Sequence, residues 1–197
     1  RLLDTLMSQL RPPDEIIMVD GGSKDRTKDI IKSYVSRSAH IRLISADGAN
    51  IAEGRNIAVQ NSRYDIIAST DAGCELEDTW LENLISPFEK DPSVDVVSGI
   101  YHYTGTTPFG KAAAKLLNRK MPMMGDVFSP SSRSLAFKKE AWERVGGYPE
   151  HLRISEDTTF NLMLKAVGCR FIVAEDAIVR AETRRRPQEL YKQYYQY

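Results

Sequence analysis

The chain has 197 residues, 42% of them hydrophobic, with 27 basic and 27 acidic side chains and two cysteines. This length fits one domain with one core, and the even charge balance excludes a global positive field that would draw the protein to nucleic acid or to an anionic membrane. Cys74 and Cys169 are too few for a disulfide framework and lack the paired spacing of a zinc site, so reduced, buried thiols in a cytoplasmic protein are expected.

Residues 2–10 read as a helix, and residues 15–19, 41–45, 65–69 and 94–98 as strands, because these are short apolar runs punctuated by turn residues. Helical periods lie between them. Residues 25–38 place Ile30, Ile31, Tyr34 and Val35 on one face, 52–60 carry Ile57 and Ala58, and 79–90 carry Trp80, Leu81, Leu84, Ile85 and Phe88. After Gly99 the rhythm is lost, and 101–125 read as a lobe or loop. Regular structure resumes with a strand at 134–137, a short helix at 139–145 closed by Gly146-Gly147, a helix at 157–167 closed by Gly168, and strands at 171–174 and 177–181. No run approaches the roughly 18 consecutive apolar residues of a membrane span. Alternation of this kind favours a mainly parallel sheet covered by helices, and no internal repeat interrupts it.

Three apolar runs end on acids that sit where helices open. Ile16-Ile17-Met18-Val19 stops at Asp20-Gly21-Gly22-Ser23, which places a carboxylate at the carboxyl edge of a parallel sheet, where ligands of open α/β folds collect. Ile66-Ile67-Ala68-Ser69-Thr70 delivers Asp71 to the same edge, where a carboxylate oxygen with phosphate oxygens suits Mg²⁺ or Mn²⁺. Ser155, a good N-cap residue, precedes Glu156-Asp157, and acids in a first helical turn gain roughly 0.3–1 kcal/mol from the helix dipole without any catalytic role. Each acid also has a plain reading, as turn former or helix cap. Arg55, just after Gly54, is either a solvated helix residue or a guanidinium for nucleotide or diphosphate oxygens.

In this order, across residues 2–186, the motifs resemble the inverting family 2 glycosyltransferases of the GT-A fold. The resemblance implies a single GT-A domain over 1–197, with a Rossmann-like, mixed and mainly parallel sheet flanked by helices. Residues 1–99 would form the nucleotide-sugar half, 100–186 the acceptor-side half, and 187–197 a terminal basic and aromatic helix. It implies donor binding by Asp20, Gly21, Arg55 and Asp71, a divalent ion at Asp71, and a catalytic Glu156-Asp157 pair with Asp157 as the base. Trp142, Gly147 and Tyr148, in a Gly-Gly-aromatic loop, would lie on the acceptor side as an aromatic platform for a sugar ring. Two positions depart from the family pattern. Gly21 stands where a second acid of Asp-Asp-Gly-Ser is usual, and Gly73 stands where Asp-x-Asp has its second acid, leaving Glu75 or His102 as helpers at the metal.

The implied partners are a nucleotide-diphosphate sugar and a glycan or lipid-linked hydroxyl acceptor, with no nucleic acid. Family members begin with a strand read as Val-Ile-Ile-Pro-Thr-Tyr, so residues upstream of Arg1 are expected. At the other end, Arg184-Arg185-Arg186 with Tyr191, Tyr194 and Tyr195 fits either a solvated helix, a lid over the diphosphate, or contact with anionic head groups at the cytoplasmic face of a membrane. A different class of function stays open beside enzymatic transfer, a nucleotide-sugar-binding scaffold of the same fold that has lost turnover.

Overall fold

Val94, Val96 and Val97 are fully shielded from solvent, and the strand that the last two open is the axis of the fold. The computed structural model of the chain describes residues 1–118 and 130–196. In chain order the elements are α1 (Leu2–Met7), β1 (Ile16–Asp20), α2 (Thr27–Val35), β2 (Ile41–Ser45), α3 (Ile51–Asn61), β3 (Ile66–Ser69), β4 (Cys74–Leu76) and α4 (Trp80–Lys90). The second half adds β5 (Val96–Thr104), α5 (Pro108–Asn118), β6 (Leu135–Lys138), α6 (Lys139–Arg144), α7 (Glu156–Ala166), β7 (Phe171–Glu182) and α8 (Pro187–Gln196).

Five strands form one sheet in the order β3-β6-β5-β7-β4, and β1 and β2 form a parallel pair. The long β5–β7 ladder is parallel, and β6, β3 and β4 are added by antiparallel pairing. Parallel ladders carry more of the paired positions than antiparallel ones, so the expected mixed, parallel-rich α/β class is the one observed.

Side chains alternate across β5, as the two-residue period of a strand requires. Val97 faces a cluster with Trp80, Leu84 and Phe88 of α4, to which α1 adds Leu3 and Leu6. Val96 faces the opposite cluster, with Phe137, Trp142, Tyr148, Phe160 and Leu164. Leu84, Phe160 and Leu164 have no exposed surface, and full burial of such a side chain contributes about 1.5–3 kcal/mol. The second cluster matters for function, since it seats α7 and the loop before it on the sheet.

Three expectations need correction. The strand expected at 94–98 continues through Gly99 to Thr104 and is followed by α5, where a lobe was expected; the rest of that stretch lies outside the described residues. Gly99 makes the continuation possible, because a Cβ there would stand 2.1 Å from Ser134 Oγ and 2.4 Å from the Ala177 carbonyl oxygen. The two strands expected at 171–174 and 177–181 are one strand, β7, whose ladder with β5 is irregular beside Gly99: Ser98 pairs with Val173 and Ile100 with Ile178. An extra strand, β4, follows the Asp71 turn, with Cys74 and Leu76 buried and Glu75 between them. At the C-terminal end α8 carries Tyr191 and Tyr195, exposed and stacked with ring centres 6.0 Å apart. Among the described residues no helix is long and apolar enough to cross a membrane.

Candidate active site

Asp20 closes β1 with its side chain turned inward and only 4% of the residue exposed. Its Oδ2 accepts from the backbone N–H groups of Gly22 and Ser23, each at 3.1 Å, and from Lys28 Nζ at 3.2 Å. Lys28 also reaches Asp47 Oδ1 at 3.0 Å, which ties α2 to the loop after β2. The Ser23 side chain, then the Ser23 and Gly22 backbone and Lys28, outweigh burial and hold the Asp20 carboxyl at about 2. Gly21 lies under the same loop: its carbonyl accepts from Gly48 N–H at 2.9 Å, and a Cβ at Gly21 would stand 2.6 Å from the Ala49 carbonyl oxygen. An acid at this position is therefore sterically opposed by backbone.

Loop 46–50 leads into α3 through a capping box. Asn50 Oδ1 accepts from Glu53 N–H and Glu53 Oε2 accepts from Asn50 N–H, satisfying two donors that a helix start leaves open. The first turn of α3 lies against β1, with Val19 Cγ1 3.8 Å from where a Cβ at Gly54 would stand, an ordinary contact that does not itself require glycine. The next residue, Arg55, points into the protein between two acids. Its Nη2 donates to Asp71 Oδ1 at 2.8 Å and its Nη1 to Glu156 Oε1 at 2.7 Å, with the guanidinium 5.4 Å from the centre of the Tyr148 ring. Burial works against its charge, yet Tyr148, Asp71 and Glu156 hold its pKa above the ordinary arginine value. One cation thus joins the turn after β3 to the first turn of α7.

Glu156 is buried and committed to Arg55. Asp157 beside it is half-buried, and its Oδ1 accepts from Thr158 N–H at 2.8 Å. Among the described residues no donor reaches its Oδ2. Ser155 stands at the N-cap of α7 as expected, but its side chain makes no capping bond. Ser155 instead adopts a left-handed backbone with φ 61° and ψ 21°, which turns the chain sharply into α7. Among the described residues it is the one non-glycine at positive φ, a conformation that costs energy and recurs at functional sites.

The Gly-Gly-aromatic loop is fixed by Asn56, a residue whose importance the sequence does not announce. Its Oδ1 accepts from Tyr148 N–H and Trp142 Nε1, and its Nδ2 donates to the Tyr148 carbonyl and to Glu150 Oε1, all within 2.8–3.0 Å. Gly147 has φ 85°, and a Cβ on it would stand 2.8 Å from Asn56 Oδ1. Neither Trp142 nor Tyr148 lies open as a platform for a sugar. Tyr148 stacks on Phe160 at 4.0 Å and shares a hydrogen bond with Ser132, and burial pushes its phenol up to about 12. The loop's outer edge lines a cleft of about 430 Å³ with Gln60, Thr159 and Met163. A second cleft of about 450 Å³ lies by residues 48–50, the start of α3 and Arg153. Neither cleft is lined by Asp71 or Asp157; at the rim that carries them Asp71 is part-exposed, while Arg55 and Glu156 behind it are largely shielded.

Residues 1–145 match the sequence profile of Glycosyl transferase family 2. The chain belongs to that family. It is 27% identical over 191 residues to the glycosyltransferase AglE of Haloferax volcanii, covering 90% of this chain and 60% of that protein. It is 25% identical to the O-antigen chain rhamnosyltransferase RfbN of Salmonella typhimurium, covering 98% of this chain and 65% of that protein. A mannosyltransferase from Pyrobaculum calidifontis, solved with GDP-Man and Mn²⁺, superposes with a TM-score of 0.73 at 22% identity, over 96% of this chain and 54% of that one. The GT-A fold is thereby shown, and the family 2 chain spans about two thirds or less of the length of each of these proteins.

Within this family 2 domain the structure brings Arg55, Asp71 and Glu156 into direct contact, with Asp157 adjoining. Asp20 and Gly21 sit in a separate turn, connected to them through loop 46–50 and α3. The helpers considered for Asp71 do not join it: Glu75 pairs with Arg1 at 2.9 Å, and His102 lies on β5 opposite Arg180 of β7. Cys74 is buried packing, its thiol pushed up by burial. Among the described residues no three His, Cys, Asp or Glu side chains gather as a metal cage. Asp71 by itself still fits a hard cation. Its Oδ2 faces Arg133 Nε at 3.8 Å, too long for a hydrogen bond, and Asp71 would be the residue to hold Mg²⁺ or Mn²⁺, which would supply positive charge beside a diphosphate.

Proposed function

We propose that this domain catalyses inverting transfer of a sugar from a nucleotide-diphosphate sugar to a hydroxyl of a glycan or lipid-linked acceptor. The observation that carries this reading is the division of labour within Glu156-Asp157. Glu156 is buried with its Oε1 held by Arg55, whereas Asp157 is half-buried and its Oδ2 accepts no hydrogen bond among the described residues. In this scheme Asp157 takes the proton of the acceptor hydroxyl. The freed oxygen bonds to the anomeric carbon from the face opposite the diphosphate while the bond to the leaving oxygen breaks, inverting the centre. A divalent ion held by Asp71 would offset charge developing on the departing diphosphate.

The Asp20–Gly21 turn and the Arg55–Asp71 pair form the donor side in this reading. The edge formed by Trp142, Gly147 and Tyr148 forms the acceptor side, with the 430 Å³ cleft as its concave surface. The O-antigen chain rhamnosyltransferase among the relatives favours a polysaccharide or cell-envelope precursor as acceptor, and such work would place the protein at the cytoplasmic face of the membrane. The test is a donor panel of UDP-, GDP-, CDP- and TDP-sugars, with and without Mn²⁺, assayed on the wild type and on Asp157→Asn. Donor binding retained and transfer lost in the variant supports the reading. Wild-type protein that binds donor but never releases its sugar supports the scaffold alternative, and full turnover by Asp157→Asn removes the mechanism.

A further inference from the structure

The rim carries two guanidinium groups, and they are in different states. Arg55 has one nitrogen on each of two carboxylates at 2.7–2.8 Å, so turning it toward a ligand would leave Glu156 buried and unpaired. Arg133 is 29% exposed at the side chain and held loosely. Its Nε stands 3.8 Å from Asp71 Oδ2, its Nη1 donates to Ser131 Oγ at 3.4 Å, and its Nη2 has no acceptor among the described residues. Of its five N–H donors, most find no acceptor among the described residues.

The base of this side chain is nonetheless firmly placed. Ser134 N–H donates to the Ser131 carbonyl at 3.0 Å and closes a turn around Ser132 and Arg133. The neighbours on both sides are buried and tied: Ser132 hydroxyl to Tyr148, and Ser134 hydroxyl to Trp80 Nε1 and the Ala177 carbonyl. The guanidinium itself lies 5.3 Å from the centre of the Tyr101 ring, a cation–π contact that uses none of its N–H donors. A planar fork with spare donors on a rigid turn, directly across from Asp71, is the geometry that grips phosphate oxygens two at a time.

We infer that Arg133, and not Arg55, is the residue of this chain that holds the donor's diphosphate; this rests on the glycosyltransferase reading above. Arg55 is a positioning residue that fixes Asp71 and the first turn of α7. Exchanging the long Asp71 contact for phosphate oxygens sacrifices little, so Arg133 can engage a ligand without loosening the rim.

The experiment is calorimetric titration of the full chain with UDP, GDP, CDP and TDP, and with the parent nucleoside of whichever binds, in Mn²⁺ and in EDTA. Arg133→Gln should weaken the nucleoside diphosphate at least tenfold while leaving the nucleoside within about twofold, and Arg133→Lys should recover only part of the loss, because it restores charge without the fork. An unchanged affinity for the diphosphate, or an equal loss for diphosphate and nucleoside, overturns the inference while leaving the enzymatic reading in place. If the wild type binds none of the four diphosphates in either buffer, the glycosyltransferase reading itself fails and the inference with it.

Discussion

Two acidic turns, one after β1 and one after β3, are built in opposite ways. The Asp20 carboxylate is self-contained: it accepts from the backbone N–H groups of Gly22 and Ser23 and from one lysine, and all of its side-chain partners lie between residues 22 and 28. The Asp71 turn is shared, because Arg55 from α3 serves Asp71 and Glu156, residues 85 positions apart in sequence. A self-contained turn contributes local stability that titrates as a unit, whereas a shared cation makes donor-side and base-side geometry interdependent. Substitutions should therefore separate into effects on folding at the first and effects on chemistry at the second.

The largest effect is expected at Asp157, beside the shared cation. Asp157→Asn should lower kcat by about 10²–10⁴-fold, the usual range for loss of a general base, with donor affinity retained; steady-state kinetics and donor titration on one preparation check it. Arg55→Ala comes next, leaving one buried and one part-exposed carboxylate without their cation. Breaking such a pair costs about 3 kcal/mol, and denaturant midpoints should show that loss together with a collapse in kcat. If kcat stays within twofold, Arg55 does not couple the two sides.

At the self-contained turn the effects are smaller. Gly21→Asp, which restores the acid usual in the family, should cost about 1–3 kcal/mol by forcing the Ala49 carbonyl aside; an unaltered melting temperature would show that loop 46–50 yields freely. Asp20→Asn should have the mildest outcome and a pH signature. Because the folded carboxyl sits at about 2, below its ordinary value of 3.8, its stabilisation is complete above the ordinary value and disappears as pH falls through about 2. The difference in Tm between wild type and variant should thus be present at pH 7 and absent near pH 2.

Much of this was legible before any coordinates. Apolar runs located β1, β2, β3 and β6, because buried strands bounded by turn residues leave a clear local pattern. The length of β5 is hidden for a physical reason: Gly99, packed closely against Ser134 and Ala177, resembles a turn glycine in sequence, while Glu175-Asp176 look like a turn inside β7. Ser155 is legible as the N-cap position, whereas residue type reveals neither its left-handed backbone nor the missing cap bond. At the site, the order of Asp20, Arg55, Asp71 and Glu156-Asp157 was readable, but partners were not. Nothing in Pro130-Ser131-Ser132-Arg133-Ser134 distinguishes Arg133 from a solvated surface residue, and Asn56 is an ordinary helix position until its four bonds are seen.

The amides of Asn50 and Asn56 have a consequence for engineering. Asn50 Nδ2 donates to the Glu150 carbonyl at 2.8 Å and Asn56 clasps the backbone of Tyr148, so one helix is riveted to segment 148–150 at two points. Chimeras that graft this segment from a relative to redirect product linkage would have to carry both asparagines with it. A graft that leaves either behind inherits a mismatched seam rather than a new specificity.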